Sequence, residues 1–195
     1  MVRRPFLSFA VLPLWLFVGC ATEVEEAELP GWALPLERQL SALGYQNWII
    51  LAEASYPVVS KRGFRTVVVD AEVPEVLEYL VGYFERSENL KPSYSTAREL
   101  PYVSNHSAPG IAAFRGKLKS AFKGTEVREA DHRSLGLMAD RQSQDFSVLV
   151  IKTKTSLPYS NVFIELDSAY WDSEFEDELR SEMRGSTTPQ ELSNE

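Results

Sequence analysis

Cysteine and histidine are both scarce in this sequence. Its 195 residues include one cysteine, Cys20, and two histidines, His106 and His132. A lone cysteine excludes an intrachain disulfide and a cysteine-based metal site, and neither histidine stands in metal-ligand spacing. The phosphate-binding loop, the dinucleotide fingerprint and the Gly-x-Ser-x-Gly nucleophile elbow are also missing. No motif therefore points to a metal or to a nucleotide cofactor.

The N-terminus has the pattern of a secretory signal. In "MVRRPFLSFAVLPLWLFVGC", residues 1–20, two arginines precede an apolar run of 14 residues from Pro5 to Val18. A charged start, a short apolar centre and a small-residue exit are typical of such signals. The run is too short to span a bilayer, which takes about 20 apolar residues. We therefore expect a signal peptide over residues 1–19.

The end of this segment adds a more specific indication. Residues 17–20, "FVGC", resemble the lipobox of bacterial lipoproteins, with Phe17 in place of the usual leucine. The resemblance implies cleavage before Cys20, whose thiol then carries the acyl chains that anchor the protein to a membrane. Ala21 fits an outer-membrane lipoprotein of the bacterial cell envelope that faces the periplasm. On the residues alone, Cys20 can also be a small apolar residue of the signal.

Basic residues are outnumbered by acidic ones. The chain has 28 acidic and 20 basic residues, and removal of the signal with its two arginines leaves 18 basic residues and a net charge of −10. An acidic surface argues against nucleic acid or anionic lipid as a partner. The hydrophobic fraction, 44%, suits one globular domain.

Composition divides the chain into four parts. The signal over 1–19 is followed by Cys20 and an acidic tether without periodicity over 20–33. Residues 34–171 form the predicted domain. Residues 172–195 are predicted to be a C-terminal helix and a disordered tail.

Helix and strand signals alternate along the predicted domain. Apolar runs, several rich in β-branched residues, predict strands at 47–54, 64–71, 93–100, 125–130, 146–154 and 161–167. Apolar residues at helical spacing, with proline, aspartate or glycine at the ends, predict helices at 34–44, from Pro74, from Pro109 to Gly124, from Asp131 to about Arg141 and at 173–183. This alternation predicts an α/β fold of three layers, α/β/α, with a largely parallel central sheet.

Polar side chains stand at the ends of two predicted strands. Glu53 follows the apolar run 48–52, and Tyr159 and Asn161 precede the last strand. Ligands of such sheets bind at strand ends, although Glu53 is equally consistent with a strand-end carboxylate in water. His132 is consistent with a solvated helix start, and His106 with a surface loop.

Two stretches resemble the signatures of the ribose pyranase and fucose mutarotase family. "LGYQNWIILAEASYP", residues 43–57, is similar to the opening signature, and "VLVIKTKTSLPYSNVFIEL", residues 148–166, to the closing one. "EADHRSL", residues 129–135, falls where the family has a histidine. The resemblance implies an enzyme that interconverts ring forms or anomers of a free monosaccharide by proton transfer and needs no cofactor.

The family resemblance also assigns roles to residues. It implies that His132 and Glu53 move protons, with Glu53 at the position of a family aspartate. It implies that Tyr159 and Asn161 hold the sugar. It further implies a ring-shaped homo-oligomer whose sites a neighbouring subunit completes.

Two positions depart from the family pattern. Tyr45 stands at the position of the first catalytic histidine, and Asn47 stands where aspartate is usual. A phenol with an ordinary pKa of about 10 is a poor base near neutral pH. A non-catalytic lipoprotein that binds a sugar or glycan, or has a structural role, on the same fold is therefore the alternative, with Asn47 kept as a sugar-binding candidate.

Overall fold

The computed structural model describes residues 29–186, and the predicted signal peptide, Cys20 and the last nine residues lie outside them. The helices are α1 (Ala33–Leu40), α2 (Val73–Glu85), α3 (Ile111–Ala121), α4 (His132–Gln142) and α5 (Ser173–Ser186). The strands are β1 (Trp48–Ala52), β2 (Phe64–Val68), β3 (Leu90–Ala97), β4 (Val127–Ala130), β5 (Val148–Lys152) and β6 (Val162–Ser168). A short 3₁₀ helix covers Leu100–Tyr102.

The six strands form one sheet in the order β2-β5-β1-β6-β3-β4. Five strands run in the same direction, and β6 runs opposite to them between β1 and β3. The largely parallel sheet is therefore confirmed. The sequence did not indicate the reversed direction of β6, which places the start of β6 beside the end of β1.

Helices cover both faces of the sheet. Alternate residues of β1 point to opposite sides, so that Ile49 and Leu51 belong to one core cluster while Trp48 and Ile50 belong to the other. The first cluster includes apolar residues of α1, α2 and α3, and the second includes Leu135 and Ala139 of α4. The predicted three-layer α/β/α arrangement is confirmed.

Local sequence signals fix where the helices begin. Asp131 caps α4, as predicted, by accepting a hydrogen bond from the backbone N–H of Ser134 at 2.9 Å. A capping box between Glu72 and Glu75 begins α2. The predicted start of α3 at Pro109 was too early. Gly110 holds a left-handed φ of 95°, which suits glycine, and the helix begins one residue later.

The last helix, α5, keeps its apolar stripe at the surface of the chain. The side chains of Phe175 and Leu179 are 51% and 40% exposed.

Between residues 29 and 186, no helix combines the length and the apolar character that a membrane crossing requires.

Candidate functional site

Four neighbouring strands bring polar residues to one edge of the sheet. The strands β1, β3 and β4 end there, and β6 begins there because it runs in the opposite direction. In such sheets this edge is where ligands bind. The residues next to the four strand ends are Glu53, Glu99, His132 and Asn161.

Asn161 is the central residue of this edge. Its side chain is 2% exposed, and both ends of its amide are hydrogen-bonded. The Oδ1 atom accepts the backbone N–H of Glu53 at 2.8 Å, and Nδ2 lies 3.0 Å from Nε2 of His132. Asn161 therefore joins the end of β1 to the start of α4, across the strands that separate them.

These contacts define the tautomer of His132. The N–H of Glu53 can only donate, so the oxygen of the Asn161 amide faces it and the NH₂ group faces the imidazole. Nε2 of His132 must therefore accept, and the ring proton lies on Nδ1. Among the described residues, Nδ1 has no hydrogen-bond partner, so this N–H remains able to donate to a ligand.

Tyr159 completes the wall next to the imidazole. Its ring meets that of His132 edge to face, with the centroids 5.5 Å apart, and its side chain is 40% exposed. Its φ is 58°, a left-handed conformation that is rare for a bulky residue and costs about 1–3 kcal/mol. The buried Ser160, whose hydroxyl donates to the Leu157 carbonyl at 2.7 Å, helps to hold the turn. Such strain is typical of functional sites.

Glu53 contributes to the edge in two ways. Its backbone N–H orients Asn161, and its carboxylate accepts a hydrogen bond from the Ser55 hydroxyl at 2.8 Å in an exposed setting. A carboxylate has about four acceptor positions. Glu53 therefore keeps acceptor capacity for a ligand hydroxyl.

Glu99 is a residue of this edge that the sequence reading missed. Its two carboxylate oxygens lie 3.1 and 3.2 Å from the backbone nitrogen of His132, which donates to them. An ionised carboxylate is favoured at a helix N-terminus. Glu99 follows β3 as Glu53 follows β1. This position after a strand is the sequence signal by which Glu99 could have been recognised as a candidate site residue.

A second carboxylate stabilises the same helix start. Hydrogen bonds from the backbone and hydroxyl of Ser134, with the nearby Arg98 guanidinium, hold the pKa of Asp131 below its usual value.

An open cavity of about 680 Å³ lies against Glu99 and is also lined by Arg98, Pro101, Tyr102 and Glu129. Its volume is within the range of small-molecule sites, roughly 300–1,000 Å³.

Tyr45 and Asn47 lie at the opposite edge of the sheet. They precede β1, whereas Glu53 follows it, and the five residues of β1 separate the edges by roughly 16 Å at about 3.3 Å per residue. The amide oxygen of Asn47 accepts the backbone N–H of Gly44 at 2.9 Å and thereby closes a turn. Within one chain, neither residue can act together with His132.

His106 is exposed in the loop before α3, as expected of a surface residue. The described part of the chain contains no group of three His, Cys, Asp or Glu side chains placed to hold a metal ion.

The structure thus defines an α/β domain with a hydrogen-bonded imidazole, amide and phenol at one edge of its sheet. No family model and no curated protein matches the chain. Solved structures are similar to it. RbsD of Bacillus subtilis, in complex with D-ribose, is 19% identical with a TM-score of 0.47, over 68% of this chain and 91% of RbsD.

Two further solved structures are similar to the chain. FucU from Bifidobacterium longum is 15% identical with a TM-score of 0.46, over 71% of this chain and 95% of FucU. The fucose mutarotase of Streptococcus pneumoniae, in complex with L-fucose, is 19% identical with a TM-score of 0.43, over 68% of this chain and 91% of the mutarotase. Identities this low bear on the fold alone, so the function of the site has to follow from its own geometry.

Proposed function

We propose that the edge formed by His132, Asn161, Tyr159 and Glu53 binds a free monosaccharide and interconverts its ring forms or anomers without a cofactor. The observation that carries this proposal is the Asn161–His132 hydrogen bond, which leaves Nδ1–H of the imidazole as a fixed donor. A sugar presents alternating donors and acceptors. A fixed N–H, a phenol and a carboxylate within one edge complement such a ligand.

Ring opening needs one proton to move between two oxygens on the same carbon. The carboxylate of Glu53 takes the proton of the anomeric hydroxyl, the bond from the anomeric carbon to the ring oxygen breaks, and the ring oxygen is protonated as an open-chain carbonyl forms. The anomeric hydroxyl and the ring oxygen are bonded to the same carbon. One carboxyl group can therefore take the proton from the hydroxyl and deliver it to the ring oxygen. The Nδ1–H of His132 donates to the ring oxygen and stabilises the charge that develops on it. Reclosure gives the other anomer or ring size.

Exchange measurements by saturation-transfer NMR test this function directly. D-ribose, L-fucose and D-galactose are incubated with the wild-type chain and with His132→Ala, and the exchange rate between ring forms is compared with that in buffer. We expect acceleration for at least one sugar and a loss of roughly 10²-fold in His132→Ala, the usual contribution of a positioned proton-transfer group. His106→Ala is the matched control and should exchange sugars at the wild-type rate. Wild-type rates equal to buffer for all three sugars would contradict the enzymatic function.

Sugar or glycan binding without turnover is the second candidate function. Two placements favour it: the carboxylate of Glu53 is engaged by Ser55, and Tyr45 lies at the other edge of the sheet. A binding protein predicts sugar-induced shifts of the His132 and Tyr159 resonances with exchange at the buffer rate. Accelerated exchange would exclude this alternative.

We also propose that the chain is a lipid-anchored homo-oligomer of the bacterial cell envelope, at the outer membrane facing the periplasm. The lipobox-like residues 17–20 support this placement. Growth with labelled palmitate in a bacterial host is expected to label the wild-type chain and not Cys20→Ser. Equal labelling of the two chains would contradict the lipid anchor, and a monomeric mass in light scattering would contradict the oligomer.

A further inference from the structure

A groove runs along the edge of the sheet opposite to His132. Two cavities, of about 590 and 400 Å³, share the lining residues Tyr45, Ser168 and Tyr170 and therefore adjoin each other. We call the two together the aromatic groove, with the cavity of about 590 Å³ as its first half and that of about 400 Å³ as its second half. It lies where β1 and β3 begin and β6 ends.

Exposed aromatic rings line the shared part of the groove and its first half. The side chains of Tyr45 and Tyr170 are 59% and 73% exposed, and that of Trp171 is 42% exposed. Trp171 is held in place: its indole N–H donates to the Glu176 carboxylate at 2.9 Å, and its ring lies 5.9 Å from that of Phe175, centroid to centroid. This indole, together with Arg180, keeps the pKa of Glu176 below its usual value. The groove thus has a fixed aromatic platform.

The lining of the second half of the groove has no charged residue. It is lined by apolar residues, by Tyr83 and by hydroxyl and amide side chains, among them Ser41, Ser87 and Asn89. The hydroxyl oxygen of Ser168, in the shared wall, is buried with no hydrogen-bond partner among the described residues. A change of χ1 to another staggered rotamer would present this hydroxyl to a ligand.

We propose that the aromatic groove binds a neutral oligosaccharide, a second carbohydrate site that is independent of the proposed monosaccharide site. Aromatic faces stack on the apolar C–H faces of sugar rings, and hydroxyl, amide and carboxylate groups accept or donate to sugar hydroxyls. The carboxylates of Asp167 and Asp172 lie in the first half and disfavour anionic sugars. The two adjoining cavities together offer room for several sugar units.

A cationic ligand fits this groove less well. Tyrosine, tryptophan and carboxylates also recognise cations, but each carboxylate of the first half already accepts a hydrogen bond or an ion pair, and Asp167 accepts the backbone N–H of Ser168 at 2.7 Å. Asp172 caps α5 through the backbone N–H groups of Glu174 and Phe175, both at 3.0 Å, and Glu176 pairs with Arg180. The second half has no carboxylate to pair with a cation, whereas its hydroxyl and amide groups suit a sugar chain.

Titration of the full chain with cellohexaose and chitohexaose tests the proposal. Binding is measured by calorimetry and by the tryptophan fluorescence, and heptalysine serves as the cationic probe. We expect at least one hexasaccharide to bind, with affinity lowered roughly 10-fold in Tyr170→Ala and in Trp171→Ala, in line with the loss of one stacking partner. Phe146→Ala is the matched control. Its ring is 36% exposed between α4 and β5 and lines neither cavity of the groove, and the affinity should not change.

The outcomes separate this groove from the proposed monosaccharide site. Hexasaccharide binding that is weakened in both groove variants, with ring-form exchange unchanged in Tyr170→Ala, supports the inference. Binding of heptalysine alone would overturn it, as would failure of both hexasaccharides to bind. Self-association of the chain that is lost in Tyr170→Ala without any hexasaccharide binding would also overturn it and would assign the groove to a second copy.

Discussion

Asn161→Ala should abolish sugar ring-form exchange and also destabilise the fold. The buried amide orients the imidazole of His132 and satisfies the backbone N–H of Glu53. Without it, the tautomer of His132 is no longer fixed, and we expect a loss of at least roughly 10²-fold in exchange rate. The N–H of Glu53 is left without its partner, so the free energy of unfolding should fall by about 1–3 kcal/mol. Saturation-transfer NMR and urea denaturation measure the two effects.

Asn161→Asp separates the two effects of this residue. An aspartate keeps an oxygen that accepts the Glu53 N–H, but presents a second oxygen, in place of the NH₂ group, to Nε2 of His132. The ring proton should then move from Nδ1 to Nε2, which the ¹⁵N chemical shifts of the imidazole report. We expect Asn161→Asp to keep more stability than Asn161→Ala and to lose ring-form exchange or sugar affinity all the same. Wild-type exchange in both variants would show that the tautomer has no part in the function.

Gly63→Ala should cause a large loss of stability that originates at the start of β2, away from the edge where β1 ends. A Cβ at this position would lie 2.0 Å from the carbonyl oxygen of Ser143 and 2.7 Å from its carbonyl carbon. Both are backbone atoms directly after α4, so no side chain can rotate to make room. Overpacking of this kind costs about 1–3 kcal/mol and occasionally more. The midpoint of thermal unfolding should fall by several degrees.

A second glycine provides the matched control. Gly136 lies within α4, and a Cβ there would meet no atom within 4 Å. Because alanine is favoured over glycine in a helix, Gly136→Ala should stabilise the chain by up to about 1 kcal/mol. A Gly63→Ala variant as stable as the wild type, measured by the same thermal scan, would contradict the expected clash between a side chain at position 63 and the Ser143 carbonyl.

The secondary structure was largely predictable because each element carries its own local signal. The apolar run 48–52 became β1, and Asp131 became the N-cap of α4, since both depend on residues next to each other in the chain. The start of α3 was predicted less well. There the left-handed Gly110, and not Pro109, sets the first turn.

The site was predictable only in part. The sequence singled out Asn161, His132 and Tyr159, and these three do meet at one edge. Glu99 was missed because no local pattern distinguishes a strand-end carboxylate in water from one that caps a helix. Tyr45 was grouped with His132 through the family resemblance, and the direction of β1 places it at the other edge of the sheet.

The sequence by itself determined the helices, the strands and the polar groups placed at their ends, because hydrophobic periodicity and capping act over a few residues. The tertiary structure decided which of these groups meet. The reversed β6 lies between β1 and β3 and brings Asn161 to the end of β1, 108 residues away along the chain. That pairing depends on how the strands pack in the whole sheet, and no segment of the sequence encodes it alone.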